Sequence, residues 1–351
     1  MTTRRRTSVR ALALATAGLA ALALAGCSSD AGPSDEPAAE ATILDKLPPM
    51  PEHFAGSIVE EYLGTTTAKE KYTIGVAVPV LSNPTWQGIA AGIEQYADAL
   101  GIEVRVVDGG GYGDPTTQLS QIDDFLALGV DGILITAVNN AAIEPAVQRA
   151  MDAGIPVIGM VTPLNGAVAY TGNNQFETGR LQCEAVASEF DKANVVMLPG
   201  PETAQFLVDR ADGFKECAEE KGFTILRELH GGTERESGVN DMEDLIQTEG
   251  DDIDVVVVGS NQTGIGAMDA AERAGLDVFV VGAGPASTAE LEAGFGGLVD
   301  ASYVASGDFA LAALIKVIQG EKVPAVLEVP QIPLVGKGIK SHDWSWSILA
   351  N

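Results

Sequence analysis

The sequence predicts an α/β protein built from two doubly wound parallel-sheet lobes that are joined by a hinge. Short apolar runs rich in Val and Ile alternate with amphipathic helical stretches along most of the chain. Strands that are apolar throughout must be covered on both faces, and crossover helices on a parallel sheet provide that cover. The alternation extends over about 280 residues, which exceeds one ordinary lobe. Two lobes are therefore expected.

The predicted strands follow one another at regular spacing. In chain order their sequences are YTIGVAVPV, EVRVVD, GILIT, PVIGMV, NVVML, TILRE, DVVVV and DVFVV. Between the first two, Ile89, Ile93 and Leu100 recur at the spacing of one helix face. This order of strand, helix and strand is typical of parallel sheets.

A pseudo-repeat supports the division into two halves. The segment GVDGILITAVNN resembles DIDVVVVGSNQTG, and each is followed by a helical stretch and a further strand. Ligands of open parallel sheets bind beyond the carboxyl ends of the strands, so facing lobes would place Asn139 and Asn261 at the rims of a shared cleft. The alternative is that each asparagine only caps the helix that follows it.

The N-terminus indicates export. Arginines precede an apolar run at residues 11–25, which is shorter than the roughly 20 residues that a membrane span needs. The run ends in LAGC, and Cys27 matches the acylated cysteine of bacterial lipoproteins. Residues 1–26 are therefore expected to be a signal peptide, and residues 27–71 a lipid-anchored tether with an N-terminal extension. The mature protein is expected to be extracytoplasmic and anchored to the cell membrane.

The charge balance excludes one class of partner. The chain has a formal net charge of −28, and removing residues 1–26 takes away four arginines and no acid, which leaves −32. Such a charge repels phosphate backbones and keeps an exported protein soluble. Nucleic acid is therefore not expected to be a partner.

Signals of metal, cofactor or catalytic chemistry are weak. His53, His230 and His342 have no second His or Cys at ligand spacing, so no metal site is expected. The GGGYG stretch lacks the spacing of a dinucleotide fingerprint, and no G-x-S-x-G elbow is present. The sequence thus predicts a binding protein that has no cofactor and is not an enzyme.

Two cysteines remain besides the anchor. Cys183 and Cys217 form an even pair in a chain that would mature under oxidising conditions. A disulfide between them is one interpretation. The other is two buried helix cysteines on opposite faces of a sheet.

Over residues 72–351 the chain resembles the type I periplasmic binding proteins, the ribose-binding family of ABC-transporter receptors. The matching motifs are SNP after the first strand, GVDGILI, GIPV, Arg210 with Gly213-Phe214, and the GSN strand end. The resemblance implies that residues 72–171 with 304–325 form the N-terminal lobe and residues 172–303 with 326–351 the C-terminal lobe. It implies crossovers between the lobes near residues 169–173, 303–306 and 321–326.

The sugar-binding members of this family carry acids at two places where this chain has Val161-Thr162 and Gly284. Carboxylates hold vicinal hydroxyls through charge-assisted hydrogen bonds, so their loss argues against a polyol ligand. At Arg210 and Asn261 the chain keeps the polar residues that the family has at these positions. Pentoses and hexoses are expected to bind poorly.

Within the superfamily the chain also resembles the periplasmic sensors of trimethylamine N-oxide. The shared features are Trp86 after the first strand, Tyr112 in a Gly-Gly-Tyr loop, and an aromatic at Phe206. With Tyr303 these rings would form an aromatic cage, although core packing is the alternative for each of them. Arg210 would oppose a quaternary ammonium and favour an acceptor oxygen, so the expected ligand has an acceptor end and an apolar body.

The sequence thus predicts a monomeric capture subunit that delivers a small-molecule ligand to an ABC permease by hinge closure. The alternative is a sensor protein that presents a bound amine oxide or related solute to a receptor kinase. The residues expected to bind the ligand lie at strand ends, at helix starts or elsewhere on the facing sides of the two lobes. They are Asn83, Trp86, Tyr112, Asn139, Thr162, Phe206, Arg210, Asn261 and Tyr303.

Overall fold

A computed structural model describes residues 63–344 of the chain. The expected signal peptide, the anchor Cys27, most of the N-terminal extension and His53 lie outside the described residues. Within residues 63–344 no helix is both long and apolar enough to cross a membrane.

The first lobe is built on a six-stranded sheet with the order β11-β5-β4-β3-β1-β2, in which every neighbouring pair is parallel. Its strands are β1 (Thr73–Val78), β2 (Glu103–Asp108), β3 (Gly132–Ile135), β4 (Val157–Met160), β5 (Ala169–Gly172) and β11 (Val326–Glu328). The central strands are buried on both faces, as their continuous apolar runs predict.

The second lobe is built on another six-stranded sheet with the order β12-β10-β9-β8-β6-β7. Its strands are β6 (Asn194–Leu198), β7 (Thr224–Glu228), β8 (Val255–Val258), β9 (Phe279–Ala283), β10 (Gly297–Asp300) and β12 (Ile332–Val335). Only the edge strand β12 is antiparallel within this sheet. Two such parallel-dominated sheets with helices on their faces confirm the predicted fold class.

Helices cover both faces of the first sheet. They are α1 (Pro84–Leu100), α2 (Thr116–Leu128), α3 (Asn140–Asp152) and α9 (Tyr303–Ile318). Ile74 and Val76 pack with α1 and α9 on one face, while Ala77 and Ile133 pack with α2 and α3 on the other. Because strand side chains alternate between faces, each strand contributes to both layers of the core.

The second sheet is covered in the same way. Its helices are α4 (Gln175–Ala187), α5 (Gln205–Lys221), α6 (Arg235–Glu249) and α7 (Asn261–Ala274), with the short α8 (Thr288–Glu292) and α10 (Lys337–Ser341) beyond them. A cluster that includes Val186, Phe214 and Val257 fills the space between the sheet and the pair α4 and α5. The helices α6 and α7 pack together on the other face.

Three segments connect the lobes, at residues 173–174, 301–302 and 329–331. The first two lie at or beside the positions that the sequence indicates. The third lies later than the expected 321–326, because β11 pairs with β5 and so belongs to the first sheet, with Val326 opposite Tyr170. A strand of three residues whose outer two side chains are exposed has too little apolar pattern to be assigned to a sheet from sequence.

The helices α4 and α5 approach each other unusually closely. A Cβ added at Gly179 would lie 1.9 Å from the carbonyl oxygen of Arg210, and one added at Gly213 would lie 1.9 Å from that of Phe176. Glycine is therefore required on both helices at this contact. The same two helices are joined by a disulfide between Cys183 and Cys217, whose Cα atoms are 6.1 Å apart.

This disulfide closes a loop with a sequence separation of 34 residues. The chain-entropy relation gives it a stabilisation of about 4 kcal/mol. We expect the double variant Cys183→Ala with Cys217→Ala to lose about that free energy of unfolding in a denaturant titration. Dithiothreitol should shift the midpoint of the wild-type protein and leave that of the double variant unchanged, whereas an unshifted wild-type midpoint would contradict the bridge.

Candidate functional site

A small cavity lies where the carboxyl ends of strands from both sheets face each other. Asn83 follows β1, Tyr112 follows β2, Asn261 follows β8 and Tyr303 follows β10, and all four line the cavity. This is the position at which open parallel sheets bind ligands. The other lining residues are Thr85, Trp86, Phe206, Leu207, Arg210, Thr233, Gly259, Ser260 and Ala283.

Aromatic rings from the two lobes meet across the cavity. The indole Nε1 of Trp86 donates a hydrogen bond of 2.9 Å to the hydroxyl of Tyr112. Phe206, at the start of α5 in the second lobe, packs on both, with ring centroids 5.9 Å from Trp86 and 6.0 Å from Tyr112. The rings therefore belong both to the cavity wall and to the contact between lobes.

Tyr112 keeps its proton in this setting. Burial raises the pKa of its hydroxyl, and the hydrogen bond from Trp86 only partly opposes that rise. Since the oxygen accepts from Trp86, the O–H of Tyr112 remains available as a donor.

Arg210 is buried beside the aromatic rings, with 3% of its surface exposed. Its Nε and Nη2 donate to the side-chain oxygen of Gln175 at 3.2 and 2.6 Å, and its Nη1 donates to the carbonyl of Gly259 at 2.8 Å. A fourth bond of 3.3 Å runs from Nη2 to the hydroxyl of Tyr303. All of these acceptors are uncharged, so none of them is an anionic partner for the guanidinium next to the cavity.

Asn261 begins α7 and is also buried. Its side-chain oxygen accepts from the backbone N–H of Ala283 at 3.1 Å. Its Nδ2 makes no hydrogen bond of good geometry within the described residues, and its side chain faces the carboxyl of Glu290, whose pKa it lowers. Burial nevertheless raises the pKa of Glu290 overall.

Asn139 and Thr162 do not line the cavity. The side chain of Asn139 accepts from the N–H of Ala142 at 3.0 Å and so caps α3, which is the alternative that the sequence left open. Thr162 is buried in the first lobe after β4. Asn83 combines both roles, because it caps α1 through the N–H of Thr85 and also lies at the cavity wall.

Sequence reasoning missed Gln175, the residue that holds Arg210. The two residues are 35 positions apart and meet only because α4 and α5 pack so closely. No local sequence pattern therefore predicts the contact. Thr233 was also missed. Its place in the loop after β7, at the same edge of the sheet, is a signal that could have found it.

The cavity is small and contains no acid. Its volume of about 20 Å³ is room for one or two water molecules. None of the described residues that line it is Asp or Glu. No cluster of three or more metal-ligating side chains occurs within residues 63–344. The lining thus combines aromatic faces, neutral polar groups and one cation.

A cleft between two doubly wound lobes that are connected by three crossovers is typical of bilobal solute-binding proteins. The chain belongs to the periplasmic binding protein domain family, whose sequence profile matches residues 74–322. Proteins of this family are extracytoplasmic and bind small solutes.

The relatives that resemble this chain are distant from it in sequence. The ribose import binding protein of Bacillus subtilis is 29% identical over 217 residues, which cover 61% of this chain and 70% of that protein. A putative rhizopine-binding protein of Rhizobium meliloti is 27% identical over 282 residues, covering 76% and 90% respectively. The crystal structure of a sugar ABC transport substrate-binding protein from Bordetella parapertussis superposes with a TM-score of 0.75 at 22% identity, over 80% of this chain and 94% of that one.

Gly284 gives Tyr303 the space for its ring. Gly284 has a φ of +57°, and an added Cβ would lie 2.0 Å from Cε2 of Tyr303. A side chain at this position would therefore have to displace the ring from the cavity wall. Gly275 is a matched comparison, because its φ is +72° and an added Cβ would meet nothing within 4 Å.

We expect Gly275→Ala to cost about 1–2 kcal/mol of unfolding free energy, the cost of a left-handed backbone alone. Gly284→Ala should cost clearly more, because the ring of Tyr303 must also move. In a Tyr303→Ala background the excess should disappear, which a double-mutant cycle by denaturant unfolding would measure. Equal costs for the two glycine variants in the wild-type background would show that the ring does not depend on Gly284.

Proposed function

We propose that the protein captures a small solute between its lobes, outside the cytoplasm, and delivers it to an ABC importer by hinge closure. The observation that supports this most strongly is that the cavity walls come from both lobes. Trp86 and Tyr112 belong to the first lobe, while Phe206 and Arg210 belong to the second. A solute can touch both walls only in the closed form, so binding favours closure.

Contacts between the lobes support closure as a defined state. The hydroxyl of Thr203 donates a hydrogen bond of 3.1 Å to the backbone oxygen of Tyr112. Beside it the ring of Phe206 packs against those of Trp86 and Tyr112. An importer can distinguish loaded from empty protein if these contacts form together with the ligand.

The importer role is proposed in preference to the sensor role because the relatives described above are named for import or solute binding. Lipid anchoring at Cys27 is part of the proposal, and the LAGC sequence supports it. An anchor would keep the binding protein close to a permease in the same membrane.

The closure step can be measured with a dye pair across the mouth of the cleft. Gly113 in the first lobe has open space around its Cα, and Glu202 in the second lobe is exposed. Both lie next to the residues of the Thr203–Tyr112 contact. We expect dyes at Gly113→Cys and Glu202→Cys to show increased energy transfer with any solute that raises the melting temperature. Deletion of the gene should abolish cellular uptake of that solute.

The matched control carries both dyes on the second lobe, at Glu202→Cys and at the exposed Glu219→Cys. Its transfer efficiency should stay constant when solute binds. Stoichiometric binding that leaves the cross-cleft pair unchanged would overturn hinge closure. Unchanged uptake in the deletion strain would overturn the importer role.

A further inference from the structure

The chemical groups that line the cavity indicate a class of solute. Resting on the proposed solute-binding function, we propose that the ligand carries a carboxylate, which Arg210 binds, and that neutral polyols are poor ligands of this cleft. The proposal depends on the charge of Arg210 and on the balance of hydrogen-bond donors and acceptors around it.

Arg210 is a buried cation without an anionic partner among the described residues. Its four hydrogen bonds go to Gln175, to Gly259 and to Tyr303, which are all uncharged. By contrast Arg180, on the adjacent helix α4, forms ion pairs of 2.8 Å with Glu216 and Glu220. A buried charge is costly unless it is paired, so the cleft is poised for an anion.

The guanidinium also has a free donor. Arginine carries five N–H groups, and the four observed bonds leave one N–H of Nη1 without a partner. Nη1 is the nitrogen bound to Gly259, a residue of the cavity wall. A ligand oxygen could therefore join this donor without breaking an existing bond.

Other groups of the cavity wall also have hydrogen-bond donors that no protein acceptor uses. The hydroxyl of Tyr303 accepts from Arg210, and that of Tyr112 accepts from Trp86, so each has its proton left to donate. Each of these groups is best satisfied by an acceptor atom on the ligand.

Acceptors in the wall are mostly engaged. The side-chain oxygens of Asn83 and Asn261 accept from backbone N–H groups, and the carbonyl of Gly259 accepts from Arg210. No carboxylate lines the cavity. Every hydroxyl of a polyol brings a proton that needs an acceptor, and this wall offers few. A carboxylate brings only acceptors and matches the surplus of donors.

The aromatic rings of the wall indicate the polarity of the rest of the ligand. Trp86 and Tyr303 are each 3% exposed, so they exclude water and strengthen the interaction of Arg210 with an anion. The guanidinium carbon already lies 5.9 Å from the centroid of Phe206, which places a fixed cation at that ring. An apolar body next to the carboxylate suits these surfaces. Because the cavity as described holds only one or two water molecules, the lobes must separate to admit such a solute and close less tightly around it.

The test compares acids with their uncharged amides. Acetate, isobutyrate and benzoate are titrated calorimetrically against acetamide, isobutyramide and benzamide at constant ionic strength, with ribose and xylitol as neutral polyols. We expect at least one carboxylate to bind at least tenfold more tightly than its amide and more tightly than either polyol. Arg210→Gln should remove that preference, and Arg180→Gln, the control on an ion-paired arginine, should keep it.

If Arg210→Gln does not fold, the comparison of acids with amides on the wild-type protein still tests the carboxylate proposal. Amides that bind as tightly as acids, or no binding by any of the three acids, would overturn the carboxylate proposal. Ribose or xylitol that binds and closes the lobes would overturn it as well while leaving the proposed solute-binding function intact. The proposed function itself fails if bound solutes leave the lobe separation unchanged, or if uptake persists in the deletion strain.

Discussion

The site depends on the burial of one guanidinium. Arg210 lies where α5, α4, the end of β8 and the start of α9 meet, and it donates to a group on each of its three neighbours. Burying a charge is costly unless it is hydrogen-bonded, and the protein satisfies every N–H donor of this guanidinium but one. The close approach of α4 and α5 brings Gln175 within reach, and the glycines at that contact permit the approach. The disulfide between the same helices holds that arrangement in place.

The charge of the whole chain and the charge of the cleft have opposite signs. The net charge of −28 belongs mostly to exposed acids, whose fields are screened over about 8–10 Å in physiological salt. Arg210 is buried and adjacent to the cavity, so its interaction with a bound anion is screened far less. Under the proposal made above, the local cation selects an anionic ligand, while the acidic surface favours solubility.

The sequence predicted the fold and part of the site because both depend on local periodicity. Trp86 and Tyr112 follow apolar strands, and the carboxyl ends of parallel strands meet at one edge, so their meeting could be expected. The role of Asn139 could not be decided, because the same residue in the same position serves as a helix cap or as a ligand contact. Gln175 could not be found at all, since its contact with Arg210 arises only from tertiary packing. Residues 326–328 were expected in the C-terminal lobe, but they form β11 of the first sheet, because three residues are too few to show a strand periodicity.

The most direct measurement is a crystal structure of the protein with the tightest-binding solute from the titrations. We expect an anionic oxygen of that solute to accept from Nη1 of Arg210, with the rings of Trp86, Phe206 and Tyr303 around its apolar body. A structure in which the guanidinium faces a hydroxyl or a cationic group of the ligand, or in which the ligand lies away from Arg210, would contradict it.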